Sequence, residues 1–384
     1  MIPKENLLRV IRHDGPEWVP DGMESVVSIE PPIIERPGCA SCDPWGVGWN
    51  LEEGAEGGTF PAHDGHTIRD LASWRQQIRI PQVHGLDWSR PLAELAKGST
   101  GANDPKQVEY RRRAQRMVTE LWGNYGPLAY IWFDGGVLPV EKGGADLAPI
   151  QRRLQPHAVT FGGPAENPAG LSRWPGNEDG VTGYPNWSTV KRANDEGAGD
   201  ANGTVWEPGE CDVPLRKQQW FWHPNQENSL RSLDELMDIY YKSVGRNANL
   251  IVNASINRDG LVPDADMKRF KEFGDEIRRR FAKPLAQTAG EGETVELDLG
   301  RPAKINHAIV MEKITEGERI REYVVEGFAG GTWKELCKGQ SVGHKRIEKF
   351  GDVEVSKVRL RVTSSTAKPL IRQLAVYNIT PRPK

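Results

Sequence analysis

Two acidic residues stand where this chain could bring together a pair of reacting carboxyl groups. Asp134 ends the apolar run LAYIWFD and is followed by Gly135 and Gly136, which permit a sharp exit from a strand, so its side chain would project from the strand's carboxyl end. Glu178 lies one strand further along, in the loop RWPGNEDG. Retaining hydrolysis of a glycoside needs two carboxyl groups about 5 Å apart, one ionised to attack the anomeric carbon and one protonated to release the leaving group. Trp174, close to Glu178, would supply an apolar wall that keeps a carboxylic acid protonated at neutral pH. Each acid also has an ordinary reading, Asp134 as the cap of a following turn and Glu178 as a solvated loop charge. Glu207 and Glu210, at the end of GTVWEP and just beyond it, are alternative acids.

The elements that would carry these residues follow from periodicity. Ala114, Met117, Val118, Leu121 and Tyr125 recur at helical spacing and Gly126-Pro127 ends the run. LAYIWFD, AVTFGG, GTVWEP and NLIVNAS read as short buried strands. Between the last two, Ser232 and Glu235 form a capping box ahead of Leu236, Met237, Tyr240 and Val244, and Pro263 opens a further helix that runs to Phe281. Apolar strands alternating with helices predict a parallel sheet covered on both faces, and a (β/α)8 barrel is the natural form. Residues 104–284 fall well short of the roughly 250 residues of such a barrel, so a partial TIM-type barrel is expected. The period then changes. VELDLG, INHAIVM, REYVVEGF, KVRLRVTS and IRQLAVYNI predict a β-sandwich over residues 285–384, which makes the fold class α/β plus all-β.

Residues 1–95 are a separate segment, with Leu7, Leu8 and Ile11 on one face of a short helix, then a long Pro- and Gly-rich stretch and a helix over 70–80. Cys39 and Cys42 form one CxxC without the second pair of a zinc ribbon, and with Cys211 and Cys337 they read as free thiols of a reducing compartment. A net charge of −3 disfavours a broad nucleic-acid surface, and no apolar run is long enough to cross a bilayer. The start lacks a signal-peptide core, so the chain reads as cytoplasmic, with a periplasmic or secreted location open if that start is not native. Thirteen Trp, several near Gly, Pro and Asn, offer flat faces that could stack on sugar rings, although core packing explains any one of them.

TELWGNYGPLAYIWFDGG, RWPGNEDG, GTVWEPGECDVPLR, WFWHP and RSLDELMDIYYKSVGRNANLIVNASINRDGLVP, in this order, resemble the second half of the catalytic domain of glycoside hydrolase family 29, the retaining α-L-fucosidases. The resemblance implies that Asp134 of WFDGG is the nucleophile. In the branch acting on linkage-defined fucosides it makes Glu178 of GNE the acid/base. Trp132, Trp174, Arg216 and Trp222 become candidates for the sugar pocket, Arg216 with a structural ion pair as its other reading and Trp222 with core packing. The implied partner is a fucosylated oligosaccharide or glycoconjugate, with no metal and no cofactor. The last hundred residues resemble the galactose-binding-like sandwich that follows many such barrels.

The pattern departs from the family at the amino-terminal end. The paired-His HHDGF motif and further sugar contacts are missing, and HDGH at His63 to His66 has the wrong neighbours. Residues 1–90, through PKENLLRVIRHDGPEWVPDGMES and WGVGWNLEEGAEGGTFPAHDGHTIRDLASWRQQIRIPQV, resemble the start of the uroporphyrinogen decarboxylase superfamily. An incomplete barrel leaves strand edges unpaired, so weakened fucose binding and turnover are expected. A non-catalytic carbohydrate-binding protein and a decarboxylase-like or methyl-transfer protein are the other readings, and the oligomeric state is open.

Overall fold

The computed structural model describes residues 5–6, 9, 14, 41–51, 59–62, 67–77, 105–135, 138–164 and 166–382. The helix expected through Leu7, Leu8 and Ile11, together with Cys39, His63, His66 and most of residues 1–90, lies outside them. The chain forms two compact units, residues 1–111 with 139–144, and residues 112–138 with 145–384.

In the first unit β1 (Ser41–Cys42), β2 (Gly48–Leu51) and β3 (Thr59–Pro61) make an antiparallel meander. The Asp43 carboxylate organises the β1–β2 turn, accepting the backbone N–H groups of Trp45 and Val47 and the indole N–H of Trp49, each at 2.9 Å. Asp70 caps a 3-10 turn, Leu71–Ser73, that continues into α1 (Trp74–Gln77), within the helix expected over 70–80.

The long helix α2 (Pro105–Asn124) leads into the second unit. There β4 (Tyr130–Trp132), β5 (Val159–Phe161) and β6 (Leu171–Ser172) run parallel, with α3 (Ala148–Leu154) between β4 and β5. The strand expected at GTVWEP is instead β8 (Val205–Trp206), two residues paired antiparallel with β7 (Thr189–Val190). The next parallel strand is the following segment, β9 (Glu210–Pro214), whose partner is β10 (Asn249–Asn253). A parallel bridge between Arg173 and Gly209 carries β6 onto β9, so five parallel strands follow one another in the order 4-5-6-9-10. Between β9 and β10 lies α4 (Leu233–Lys242), which has both halves of its capping box: Ser232 Oγ accepts from the Glu235 N–H, and the Glu235 carboxylate accepts from the Ser232 N–H. Pro263 precedes α5 (Asp264–Phe281), whose first turn carries Asp264 and Asp266 and whose last carries Arg278, Arg279 and Arg280, each charge opposite in sign to the nearby helix end.

The rest is one antiparallel sheet in the order β11-β16-β12-β15-β13-β14, formed by β11 (Ala286–Glu291), β12 (Thr294–Glu312), β13 (Ile320–Ala329), β14 (Thr332–Gly339), β15 (Arg346–Ser365) and β16 (Leu370–Tyr377). VELDLG and INHAIVM, which read as two strands, are the two ends of β12. Its ladder with β15 shifts register between Asp298 and Ala303 and again between Ile305 and His307. Successive side chains point to opposite faces. Ala308, Val310, Leu374 and Val376 therefore enter one aliphatic core with Val325 and Leu360, while Ile309, Met311, Ala375 and Tyr377 pack against Leu236, Met237 and Tyr240 of α4 and Phe273 of α5. Both faces of these segments are thus buried against apolar neighbours.

Polar bonds pin the same junction. Asn247 is buried in the left-handed region (φ 64°), where its amide donates to Glu318 and its Oδ1 accepts the His344 N–H at 2.7 Å. The Asn186 N–H donates to Ser341 Oγ at 3.0 Å, and the Arg346 guanidinium lies 3.9 Å from the centre of the Tyr184 ring.

Candidate active site

One face of the parallel strands is lined by acids and aromatic rings. On β4, Tyr130 and Trp132 share that face, while Ile131 turns the other way into a small core with Trp122 and Ala158. On β9, Glu210 and Asp212 share it, while Cys211 and Val213 are wholly buried on the opposite side. The Trp132 ring stacks on Phe161 of β5 at 4.1 Å, and its indole N–H donates to Glu210. Tyr130 hydrogen-bonds both Ser172 of β6 and Glu210. Burial raises the proton affinity of Glu210, and the two donors oppose that rise.

A second carboxyl–indole pair lies one step nearer the carboxyl ends of the strands. The Trp174 indole N–H donates to Asp212 Oδ1 at 2.6 Å. Burial raises the Asp212 carboxyl above the usual carboxylate range, the Trp174 bond opposes this, and the negative charges of Glu178 and Asp134 add to it. Both of those carboxylates are therefore within electrostatic reach of Asp212. Asp134 itself follows β4, is exposed, and accepts the Gly135 N–H at 2.7 Å. Glu178 is likewise exposed, and the Trp220 indole N–H donates to its Oε2 at 2.8 Å.

The loop carrying Glu178 is fixed at both ends. Arg173, 1% exposed, donates to the Gly197 carbonyl, the Glu207 carbonyl and Asn186 Oδ1, each at 2.8 Å. Within the loop Asn177 donates to the Val181 carbonyl and accepts the Asp179 N–H. Gly180 closes it at φ 73°, where a Cβ would come within 2.9 Å of Val213 on β9 and Ile239 on α4, so no other residue fits without displacing the core.

Of the residues singled out in the sequence, Trp132 bonds Glu210 and Trp174 bonds Asp212, while Asp134 and Glu178 act on Asp212 through their charge. Arg216 does not join them through its charge. Its guanidinium is buried and held by Asp266 of α5 through Nε and Nη2, with 2.7 Å between Nη2 and Oδ1, and this ion pair raises its proton affinity. Trp222 is half-buried, two residues beyond the indole that meets Glu178. Glu207 is fully buried and accepts the Asn194 N–H through both oxygens at 3.1 Å. Asp212 and Trp220 escaped the sequence reading. Their signal was acids at alternate positions of ECDVP, the mark of a strand with a polar face, and the first Trp of WFWHP itself.

Carboxyl and indole groups cluster at the carboxyl ends of the parallel strands, the end at which α/β folds of the barrel type place their ligand sites. The alpha-L-fucosidase family model matches residues 72–279, more than half of the chain, and the chain belongs to that family. The match begins inside the segment read as amino-terminal and ends just before the antiparallel sheet. Alpha-L-fucosidase 1 of Arabidopsis thaliana is 29% identical over 326 residues, which cover 71% of this chain and 62% of that protein. A Bacteroides thetaiotaomicron crystal structure described as a "putative alpha-L-fucosidase" is 41% identical with a TM-score of 0.68, over 72% of this chain and 66% of that one. A Ruminococcus gnavus GH29 fucosidase solved in complex with fucose has the same fold, with a TM-score of 0.61 at 24% identity, over 71% of this chain and 66% of that one. This chain spans about three fifths of the curated relatives it matches.

Proposed function

We propose that this chain hydrolyses α-L-fucosides with retention of configuration, releasing terminal fucose from fucosylated glycans. Residues 104–284 are the catalytic segment, part of a (β/α)8 barrel, and residues 285–384 are a sandwich in which one continuous sheet folds around the aliphatic core and packs against that segment. Asp134 is the nucleophile and Glu178 the acid/base. The observation that supports this reading is that Asp134 follows β4 and Glu178 lies in the loop after β6, at the same end of the parallel strands, both near enough to act on the Asp212 carboxyl by charge.

In the first step an Asp134 oxygen bonds to the anomeric carbon as the glycosidic bond breaks, and Glu178 gives its proton to the departing oxygen. In the second step Glu178 takes a proton from water, the water oxygen attacks the same carbon, and the bond to Asp134 breaks. Trp174, and the face of Trp132 that Phe161 does not cover, suit a pyranose and its methyl group. Among the described residues, β4 and β10 stand at the ends of the five-strand order.

Hydrolysis of 4-nitrophenyl α-L-fucoside tests the reading. The chain releases nitrophenol and β-anomer is absent from the first-formed fucose, whereas Asp134→Gly loses activity by at least about 10³-fold. No release above that variant's level removes the assignment.

A further inference from the structure

We propose that Trp220 is a positioning residue for the acid/base, its indole N–H fixing Glu178 so that a single oxygen is left to exchange the proton with the leaving group. The inference rests on the fucosidase reading and adds to it how a carboxyl group on an exposed loop is aimed.

The bonds of Arg173 and Asn177 and the close packing at Gly180 hold the loop's backbone, but they leave the Glu178 side chain free to rotate about three bonds. The 2.8 Å bond from Trp220 Nε1 to Oε2 removes that freedom. An indole nitrogen donates one hydrogen and accepts none. Since the unprotonated oxygen of a carboxylic acid is its stronger acceptor, Oε2 stays on the indole and the acidic proton goes to Oε1. After the proton has left for the glycosidic oxygen, the same N–H stabilises the carboxylate that must next deprotonate water.

Trp220 is itself mounted on the sheet. Its carbonyl accepts from Asn253 Nδ2 at 2.9 Å and from Ser255 Oγ at 3.1 Å. Asn253 is the last residue of β10, in register with Pro214 of β9. A chain of bonds therefore runs from the end of β10 through Trp220 to Glu178, whose loop springs from β6. The acid is held from across the strand ends as well as from its own loop.

Trp220→Phe keeps an aromatic ring, smaller than the indole, and deletes the donor. Its kcat/KM is compared with that of the unaltered chain on two aryl α-L-fucosides, one with a 4-methoxyphenyl group, which needs a proton to depart, and one with a 2,4-dinitrophenyl group, which leaves as a stable anion. The expected loss is about 10–100-fold on the methoxyphenyl substrate and a much smaller factor on the dinitrophenyl one. The dinitrophenyl rate also reports how much enzyme is folded. Asn253→Ala, which leaves the indole in place and loosens its mount, shows the same selectivity with a smaller factor. Equal losses on the two substrates in both variants, or no loss on either, overturn the role of Trp220 while the fucosidase reading stands. If the unaltered chain cleaves neither substrate, the fucosidase reading fails and this inference with it.

Discussion

Along β12 alternate side chains enter two apolar environments, an aliphatic core on one face and the side chains of α4 and α5 on the other. Along β9 the same alternation divides unlike surroundings: Cys211 and Val213 are sealed in a core, whereas Glu210 and Asp212 face aromatic donors and two further carboxylates. Side chains alternate between two faces in both regions, so what differs is the chemistry placed on each face. The antiparallel sheet gains stability by removing apolar surface from water. The parallel strands keep Glu210 buried and Asp212 half-buried and must supply each with a donor, because an unpaired buried carboxyl costs more than the bond that satisfies it returns. Stability is concentrated in one region and reactivity in the other.

The most severe way to break this contrast is to remove one partner of the buried Arg216–Asp266 pair, which ties the segment after β9 to α5. Asp266→Asn removes the buried counter-charge of a guanidinium that is 1% exposed and leaves it only the exposed Glu227 carboxylate, 3.8 Å away. The expected cost is about 3–5 kcal/mol in urea unfolding. Replacing both residues by apolar ones, Arg216→Met with Asp266→Leu, recovers most of it, since no uncompensated charge is left inside. A double variant as unstable as the single one would mean that the pair's shape, rather than its charge balance, is what the region needs.

In the antiparallel sheet the corresponding cut is into volume. Leu360 is fully buried in the aliphatic core with no polar group to satisfy. Leu360→Ala is expected to cost about 3–4 kcal/mol, from lost transfer energy and the cavity left behind. Activity on an aryl fucoside, measured well below the unfolding midpoint, should change little. A large loss of activity in the folded variant would show that the sheet shapes the site through α4 and α5.

How much of this was readable beforehand follows the same division. The capping box at Ser232 and Glu235, the helix opened by Pro263, the strand at NLIVNAS and Asp134 at a strand end all follow from local patterns that tertiary structure left intact. GTVWEP misled because aliphatic and aromatic residues read as a buried strand, while ECDVP, with two acids and a proline, reads as a loop. Its acids are tolerated because they line a functional face. Periodicity reveals that a strand has two faces and says nothing of what each will meet. β11 and β14 went unrecognised for a different reason: they are edge strands, half-exposed, so AQTAGE and much of TWKELCKG carry no apolar alternation. Arg216 is charged and follows a site-bearing strand, and only the packing of α5 shows that Asp266 holds it. Trp220 and Trp222 are equivalent in the sequence, and the bond to Glu178 separates them.

One acid crosses the division. Glu312, at the end of β12, is 1% exposed and accepts the N–H groups of Arg319, Ile320 and Gly343 at 2.8, 3.0 and 2.9 Å. Burial outweighs these donors and, with the nearby Glu318 charge, pushes its carboxyl up to about 7. An acid raised on folding contributes stability that is present below its unfolded value and is lost as pH rises through about 7, a swing of at most about 3 kcal/mol here. His307 runs the other way: burial holds it down to about 4, so its contribution is present above about 6.5 and is lost as pH falls. The two slopes oppose each other, and the unaltered chain is expected to show a flattened profile. Glu312→Gln fixes the neutral form, so the stability of the unaltered chain relative to this variant should fall between pH 4.5 and 8 in urea titrations. Any constant offset from the amide's fit cancels in that difference. A difference that does not move with pH would mean that the three N–H donors keep Glu312 ionised throughout, and that this corner of the antiparallel sheet satisfies its acid as the parallel strands do.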